Sequence, residues 1–416
     1  IHNYLTIAWR NLTKRGGFSA INIVGLALGL AVCLLIVLLP LRQWRMDRFH
    51  DHAARIHRVL TDTPESFGIS AADGFATTPA PLAPLIRRTY TGVEAAVRMQ
   101  RTGANLVHGE NRIVLERENV IGTKGLYVEP SFFRVFDGFR VESGNAQEAL
   151  RRPFSVVLAP DAAQRLFGED NPIGQIVRLV DTGDFTVTGV LAEPAGRSHL
   201  DVDALFSFST LRAEQHALSD WSNVTSYYTY LLLEEDTDPQ VVEAQLEQAA
   251  EQLRSPNPDF DPQADFERNP FPLQPLLDIA LGPQPGNEVA RPMLPPEVLF
   301  LLGGMALVII LAAGFNYANL SVARSLTRSR EVGVRRTMGA TRPQVAKQFL
   351  GEAVLTSLLA LGVALVLLQG LIPAFNSLRV VHILELYVRP SVLADGAVLA
   401  LFVGFTMLVG GLSGAY

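Results

Sequence analysis

RSREVGVRRTMGAT, Arg328 to Thr341, lies between two long apolar runs and carries four arginines against a single acid, Glu331. Arg342 follows directly. The chain as a whole is acidic, with a formal charge of −6 over 416 residues. Gathering arginines at one place in such a chain needs a physical cause.

The flanking runs supply one. Mean hydropathy is positive, +0.21. Four stretches approach or exceed the roughly 20 apolar residues that cross a bilayer: Phe18–Leu41, Val298–Ala318, Val354–Ile372 and Val392–Leu412. Between the first two lies a polar block, Gln43 to Glu297, with 37 acids and 22 Lys or Arg; the remainder has 4 acids and 13 bases. Short loops rich in Lys and Arg stay in the cytoplasm. The segment between the second and third runs holds Arg324, Arg328, Arg330, Arg335, Arg336, Arg342 and Lys347 against Glu331 and Glu352. The N-terminal arm adds Arg10, Lys14 and Arg15. Two crossings separate these segments, so both fit the cytoplasm. Pro373 to Ser391, with Arg379 and Arg389 its only Lys or Arg, fits the outside, as does the acidic block. Arg42, Arg45 and Arg48 run against the rule.

The first run is longer than the 7–15 residues or so of a signal peptide's apolar region, and no small-residue cleavage site follows it. It reads as an uncleaved helix. Cys33 is the only cysteine, which excludes a disulfide framework. The chain starts without Met and stops at GLSGAY, still apolar, which suggests a piece of a longer protein.

Topology alone would account for the arginines, but the loop also carries helix punctuation. Gly339 can take the left-handed position that ends a helix. Thr341 then offers an N-cap, Pro343 sits in the first turn, and Gln344 stands at N3 in a capping box. The sequence thus specifies helix, tight turn, helix, joined directly to two membrane spans.

These residues carry a family resemblance. NYANLSVARSLTRSREVGVRRTMGATRPQVAKQFLGEAVL, from Asn316, resembles the cytoplasmic coupling segment of FtsX-like, MacB-type ABC transporter permeases. AWRNLTKRGGFSAINIVGLALGLA and DRFHDHAARIHRV resemble the opening of the same family in its duplicated eight-span subgroup. NPIGQIVRL and SHLDVDALFS are weaker points of likeness. The resemblance implies a fold of four transmembrane helices plus an α+β extracytoplasmic domain of MacB periplasmic-core type. It implies a bacterial inner-membrane permease moved by a separate cytoplasmic P-loop ATPase dimer. The ATPase-coupling residues would be Arg330, Glu331, Arg335, Arg336, Met338 and Gly339. A second permease half or paired permease chain would complete the bundle, and a periplasmic or outer-membrane partner is further implied. Family members export or release hydrophobic compounds, lipoproteins or peptides, or regulate cell-wall hydrolases. The alternative reading is a membrane sensor that passes a signal between an outer ligand domain and a cytoplasmic effector.

The expected organisation is an amphipathic interfacial helix over 1–16, in contact with membrane lipid, and spans at 17–42, 298–318, 354–372 and 392–416. The outer domain occupies 43–297, with an inserted subdomain near 105–198. The coupling elbow covers 319–353 and an outer loop 373–391. Gly25 with Gly29 and Gly410 with Gly414 have the spacing that lets helices approach closely. Apart from Asp395, no charged residue lies deep in a span, which argues against an ion path.

In the outer block, alternation and turn residues predict strands at Arg55–Thr63, VEAAVRMQR and YYTYLLLEE, a strand and then a helix with Asp161 in its first turn in FSVVLAPDAAQRLFG, and two strands across a Thr-Gly-Asp turn in QIVRLVDTGDFTVTGVLAE. NRIVLERENVIG suggests a hairpin-like pair. Helices are predicted after TPAP, at EPSFFRVF, after FSVVLAP and at DPQVVEAQLEQAAEQL. Ser255–Arg291 reads as an extended return to the membrane. No P-loop, H-E-x-x-H or G-x-S-x-G pattern occurs, so no catalytic residues and no cofactor are expected. RFHDHAARIH groups His50, Asp51, His52 and His57, with His50 and His57 on one face if the segment were helical. A juxtamembrane structural role is the stronger reading, and no metal is expected. The basic loop lacks the interleaved aromatics of a nucleic-acid site.

Overall fold

The structure is a computed structural model. It describes residues 16–62, 74–103, 105–107, 120–122, 124–180, 182–213, 218–249, 270–289, 293–337, 341–383, 386–388 and 395–415. The expected interfacial helix over 1–16, most of the NRIVLERENVIG hairpin, and Met338 and Gly339 fall outside these residues. Two compact units divide the chain: 1–43 with 292–416, and 44–291.

The first unit is helical. Helix α1 covers Gly16–Trp44. Its Leu26, Leu30, Leu34 and Leu38 are all buried, four residues apart on one stripe. Within the same unit lie α7, Pro296–Thr337; α8, Arg342–Asn376; a short α9, Arg379–Ile383; and α10, Gly396–Ala415. Ala360, Ala364, Leu368 and Ile372 repeat the four-residue stripe on α8, which packs on α10. Among the described residues, three helices are long and apolar enough to cross a membrane: Ala20–Trp44, Pro296–Asn319 and Leu350–Asn376. A shorter apolar segment, Gly396–Gly411, lies in α10.

The second unit is a mixed α+β domain. Its strands are β1 Ile56–Val59, β2 Val93–Thr102, β3 Asn105–Val107, β4 Val120–Gly122, β5 Gly125–Val128, β6 Val141–Gly144, β7 Ser155–Leu158, β8 Ile176–Leu179, β9 Gly183–Leu191, β10 Ala204–Ser207, β11 Tyr227–Leu233 and β12 Leu273–Pro275. Its helices are α2 Leu82–Thr89, α3 Phe132–Val135, α4 Pro160–Phe167, α5 Ser209–Ala213 and α6 Pro239–Glu247. The strands form one sheet in the order β12-β1-β11-β2-β5-β10-β7-β9-β8-β3-β4, with β6 added beside β9. Pairing is antiparallel except β5 with β10 and β7 with β9.

Two cores flank this sheet. Ile86, Leu231, Leu233, Val242, Leu246 and Phe271 form one, under α2 and α6. Leu158, Leu166, Val177, Phe185, Val187 and Phe206 form the other, with α4. Residues 105–198 contribute β3–β9 to the same sheet as the rest. Strand β11 is buried along its whole length, in keeping with a run of Tyr and Leu interrupted only by Thr229. Asp238 caps α6 by accepting the Gln240 N–H at 3.0 Å, and Pro239 fills the first helical position.

Two expectations in this unit need correcting. The strand expected over Arg55–Thr63 is shorter. Residues 53–55 form a 3-10 turn before β1, and only Thr61 adds a further bridge, to Phe75. His50 and His57 do not share a helical face, because the segment is a turn followed by a strand. The turn places the Phe49 and His50 rings against Phe136 and Phe139.

Candidate coupling site

The predicted elbow residues sit at the ends of two long helices. Arg330, Glu331, Arg335 and Arg336 lie in the last turns of α7. Thr341 immediately precedes α8, and Gln344 is its third residue. Thr337 and Thr341 are exposed. Four residues, 338–341, separate the helices.

In the same unit, Gly25 and Gly29 of α1 face α7. A Cβ on Gly29 would come within 2.7 Å of the Ala313 Cβ, and one on Gly25 within 3.3 Å of Asn316 Nδ2. A Cβ on Gly410 of α10 would meet Ser357 Oγ of α8 at 2.5 Å. Gly414 lies one turn further along α10. Gly303 and Gly304, by contrast, face open space. The C-terminal end of α1 and the segment leading into α7 are stapled by one amide. Gln43 Nε2 donates to the Leu294 carbonyl at 3.0 Å, and its Oε1 accepts the Leu294 N–H at 3.3 Å. Asn376 does the same for Val388 after α8, at 2.9 and 3.0 Å.

The α+β unit opens with a buried polar chain that local sequence patterns did not disclose. Asp47 adopts a left-handed φ of 59°, a costly conformation for a residue with a Cβ. Its carboxylate accepts Ser198 Oγ–H at 2.6 Å, the His199 backbone N–H at 3.0 Å and His199 Nδ1 at 2.9 Å. A carboxylate only accepts, so Nδ1 carries the proton. His199 Nε2 meets Tyr230 Oη at 2.8 Å. Tyr230 also bonds Arg58, its cross-strand neighbour on β1. Arg58 continues to Glu288 at 2.5 Å and to Gln274 at 2.5 Å. No buried side-chain nitrogen or oxygen of Asp47, Ser198, His199, Tyr230 or Arg58 lacks a hydrogen-bond partner. Burial alone would raise the Asp47 pKa, but the His199 imidazole and the donated hydrogen bonds hold it below the usual carboxylate value. Burial pushes the Tyr230 hydroxyl well above its ordinary pKa.

Rings fill the space around this chain. Phe49, His50, Phe136, Phe139 and Tyr230 stack or meet edge-on, with Phe136 and Tyr230 centroids 5.1 Å apart. Gly138 and Gly196 leave room for Phe49: a Cβ on either would come within 2.8 Å of its ring. His50 Nδ1 accepts the Gly138 N–H at 3.0 Å. Its buried Nε2 has no hydrogen-bond partner among the described residues and stands 3.8 Å from Asp47 Oδ1. Arg48, which runs against the charge rule, covers the Trp44 ring at 4.1 Å and donates to the Trp44 carbonyl. That arrangement sets a cation over an aromatic face.

Helices long and apolar enough to cross a membrane, carried on one chain with a mixed α+β domain, define the class as a membrane protein. The family of the MacB-like periplasmic core domain matches residues 19–249, and the FtsX-like permease C-terminal family matches residues 303–416. The chain belongs to the FtsX-like, MacB-type ABC transporter permeases. It is 24% identical over 276 residues to the macrolide export ATP-binding/permease protein MacB of Bdellovibrio bacteriovorus, covering 65% of this chain and 37% of that one. MacB of Nitrosomonas europaea is 23% identical over 396 residues, 92% of this chain and 53% of its own. The periplasmic region of MacB from Actinobacillus actinomycetemcomitans aligns with a TM-score of 0.37 at 14% identity, over 55% of this chain and 91% of that one. The chain thus spans about a third to a half of the curated relatives' length.

Proposed function

We propose that this permease is a mechanotransmitter. A cytoplasmic P-loop ATPase dimer, carried on a separate polypeptide, engages Arg330, Glu331, Arg335, Arg336, Met338 and Gly339. Nucleotide-driven closure pushes this elbow, and α7 and α8 carry the displacement outward. The elbow and the N-terminus face the cytoplasm of a bacterial cell, the span helices lie in its inner membrane among lipid, and the α+β domain stands outside. A second permease half or paired chain completes the assembly, with a periplasmic or outer-membrane partner beyond. The displacement drives export or release of a hydrophobic compound, lipoprotein or peptide.

Helix continuity supports this reading. At about 1.5 Å per residue, the 42 residues of α7 reach about 63 Å. A bilayer core takes up about 30 Å. The same unbroken helix that crosses the membrane therefore extends through the basic segment. The 35 residues of α8 reach about 52 Å in the same way. With only residues 338–341 between them, displacement at the elbow moves two rods rather than a slack loop. The test replaces Arg335→Glu together with Arg336→Glu and measures association with the partner ATPase by pull-down. Association is expected to fall at least about tenfold, the effect of about 1.4 kcal/mol, while the permease stays folded. Undiminished association would overturn the assignment.

A further inference from the structure

A second feature of the α+β unit lies away from the polar chain. Helix α2, the end of α5 and the residues around Trp221 border an open cavity of about 550 Å³. This falls within the range of small-molecule sites. Three guanidinium groups line it, from Arg88, Arg98 and Arg212, beside Leu85, Leu218 and Trp221.

The charges there are not balanced. Arg98 is buried and sits over the Phe208 ring at 4.6 Å. Three of its five side-chain N–H groups are used, two on Glu129 and one on the Ala80 carbonyl. Arg87 takes up the same Glu129 carboxylate, at 2.7 and 3.1 Å. One acid thus serves two arginines. Arg88 and Arg212 have no acidic partner among the described residues and are exposed at the rim. Burial lowers the Arg98 pKa, and repulsion from Arg87 and Arg212 adds to the effect. Bringing unpaired cations together over an apolar floor is unfavourable unless something negative enters. Guanidinium pairs are suited to carboxylate and phosphate oxygens, while Trp221 and the leucines offer a surface only to an apolar body.

We infer that this cavity binds a small amphiphilic anion, with a carboxylate or phosphate between Arg88 and Arg212 and an aromatic or aliphatic body against Trp221, Leu85 and Leu218. The site does not depend on the elbow assignment, and its test does not use an ATPase.

The experiment titrates the full chain in lipid nanodiscs by calorimetry with 1-naphthylacetate, 1-naphthyl phosphate and the neutral 1-naphthylacetamide. At least one anion is expected to bind saturably, about tenfold or more tighter than the amide. Whichever anion binds more tightly identifies the head group. Arg88→Gln with Arg212→Gln is expected to remove that preference, and Trp221→Leu to weaken both anion and amide. Arg178→Gln, which alters an exposed arginine paired with Asp184, is expected to change nothing. Absence of saturable binding up to about 10 mM, a response equal to that of empty nanodiscs, or undiminished binding by a folded Arg88→Gln/Arg212→Gln variant would each overturn the inference.

Discussion

Asp47 shows how much one residue can hold. Its strained backbone persists because four donated contacts converge on a carboxylate that is almost wholly buried. Replacing Asp47 with Ala leaves a serine hydroxyl and two His199 N–H groups without an acceptor. The expected loss is about 3–5 kcal/mol of unfolding free energy, measured by denaturant titration of the α+β signal. Tyr230→Phe removes the hydroxyl that joins His199 to Arg58 and is expected to cost about 1–3 kcal/mol. Losses below about 0.5 kcal/mol in both would show that the chain of bonds holds nothing in place.

His50 gives the pH dependence. Burial lowers its pKa and repulsion from His199 adds to the effect, against opposing pulls from Asp47 and Asp137. Burial lowers His57 as well, although the Arg55 carbonyl, Glu243 and Asp278 pull it upward. The folded state therefore binds fewer protons than the unfolded chain once pH falls below about 6.5. Stability is complete above that value and is lost as pH drops toward the lowered folded pKa values. The melting temperature is expected to fall between about pH 7.5 and about pH 5.5. The slope should be shallower in His50→Gln, whose Oε1 can still accept the Gly138 N–H. An unchanged slope would remove His50 from the account.

At the scale of elements, the close approach of α1 and α7 makes a specific demand. Gly29→Leu drives a side chain into Ala313, and an overpacked contact costs about 1–3 kcal/mol. Ala313→Gly in the same chain is expected to recover part of that loss, a coupling that a double-mutant cycle reads directly. Gly304→Ala, which faces open space, is expected to be neutral. Gln43→Leu should cost about 1–3 kcal/mol, since it strands the buried N–H and C=O of Leu294.

Elements with strong local patterns could be read from the sequence. FSVVLAPDAAQRLFG gave a strand and then a helix with Asp161 in its first turn. The two strands expected across the Thr-Gly-Asp turn are β8 and β9, although Gly183 and Asp184 already pair within β9, with Leu179 and Arg178. Strands β5 and β10 were not legible. They are four residues each and pair in parallel across 79 positions, Gly125 with Ala204, and no local period encodes that. The Asp47–His199 contact spans 152 positions. RFHDHAARIH reads as a juxtamembrane structural segment, but only the fold shows that Asp47 and His50 are buried.

At the scale of the whole molecule, the basic stretch from Arg328 to Thr341 has meaning only with an orientation. Gathered arginines, a short turn and helices longer than a bilayer describe a lever when that stretch faces the cell interior. The most direct test is single-cysteine labelling with a membrane-impermeant maleimide, since Cys33 is the only native cysteine and is buried. Thr337→Cys probes the elbow and Ser219→Cys the α+β unit, both at exposed positions. In intact cells Ser219→Cys is predicted to label and Thr337→Cys to stay unlabelled until the membrane is inverted. Labelling of Thr337→Cys from outside intact cells would contradict the account.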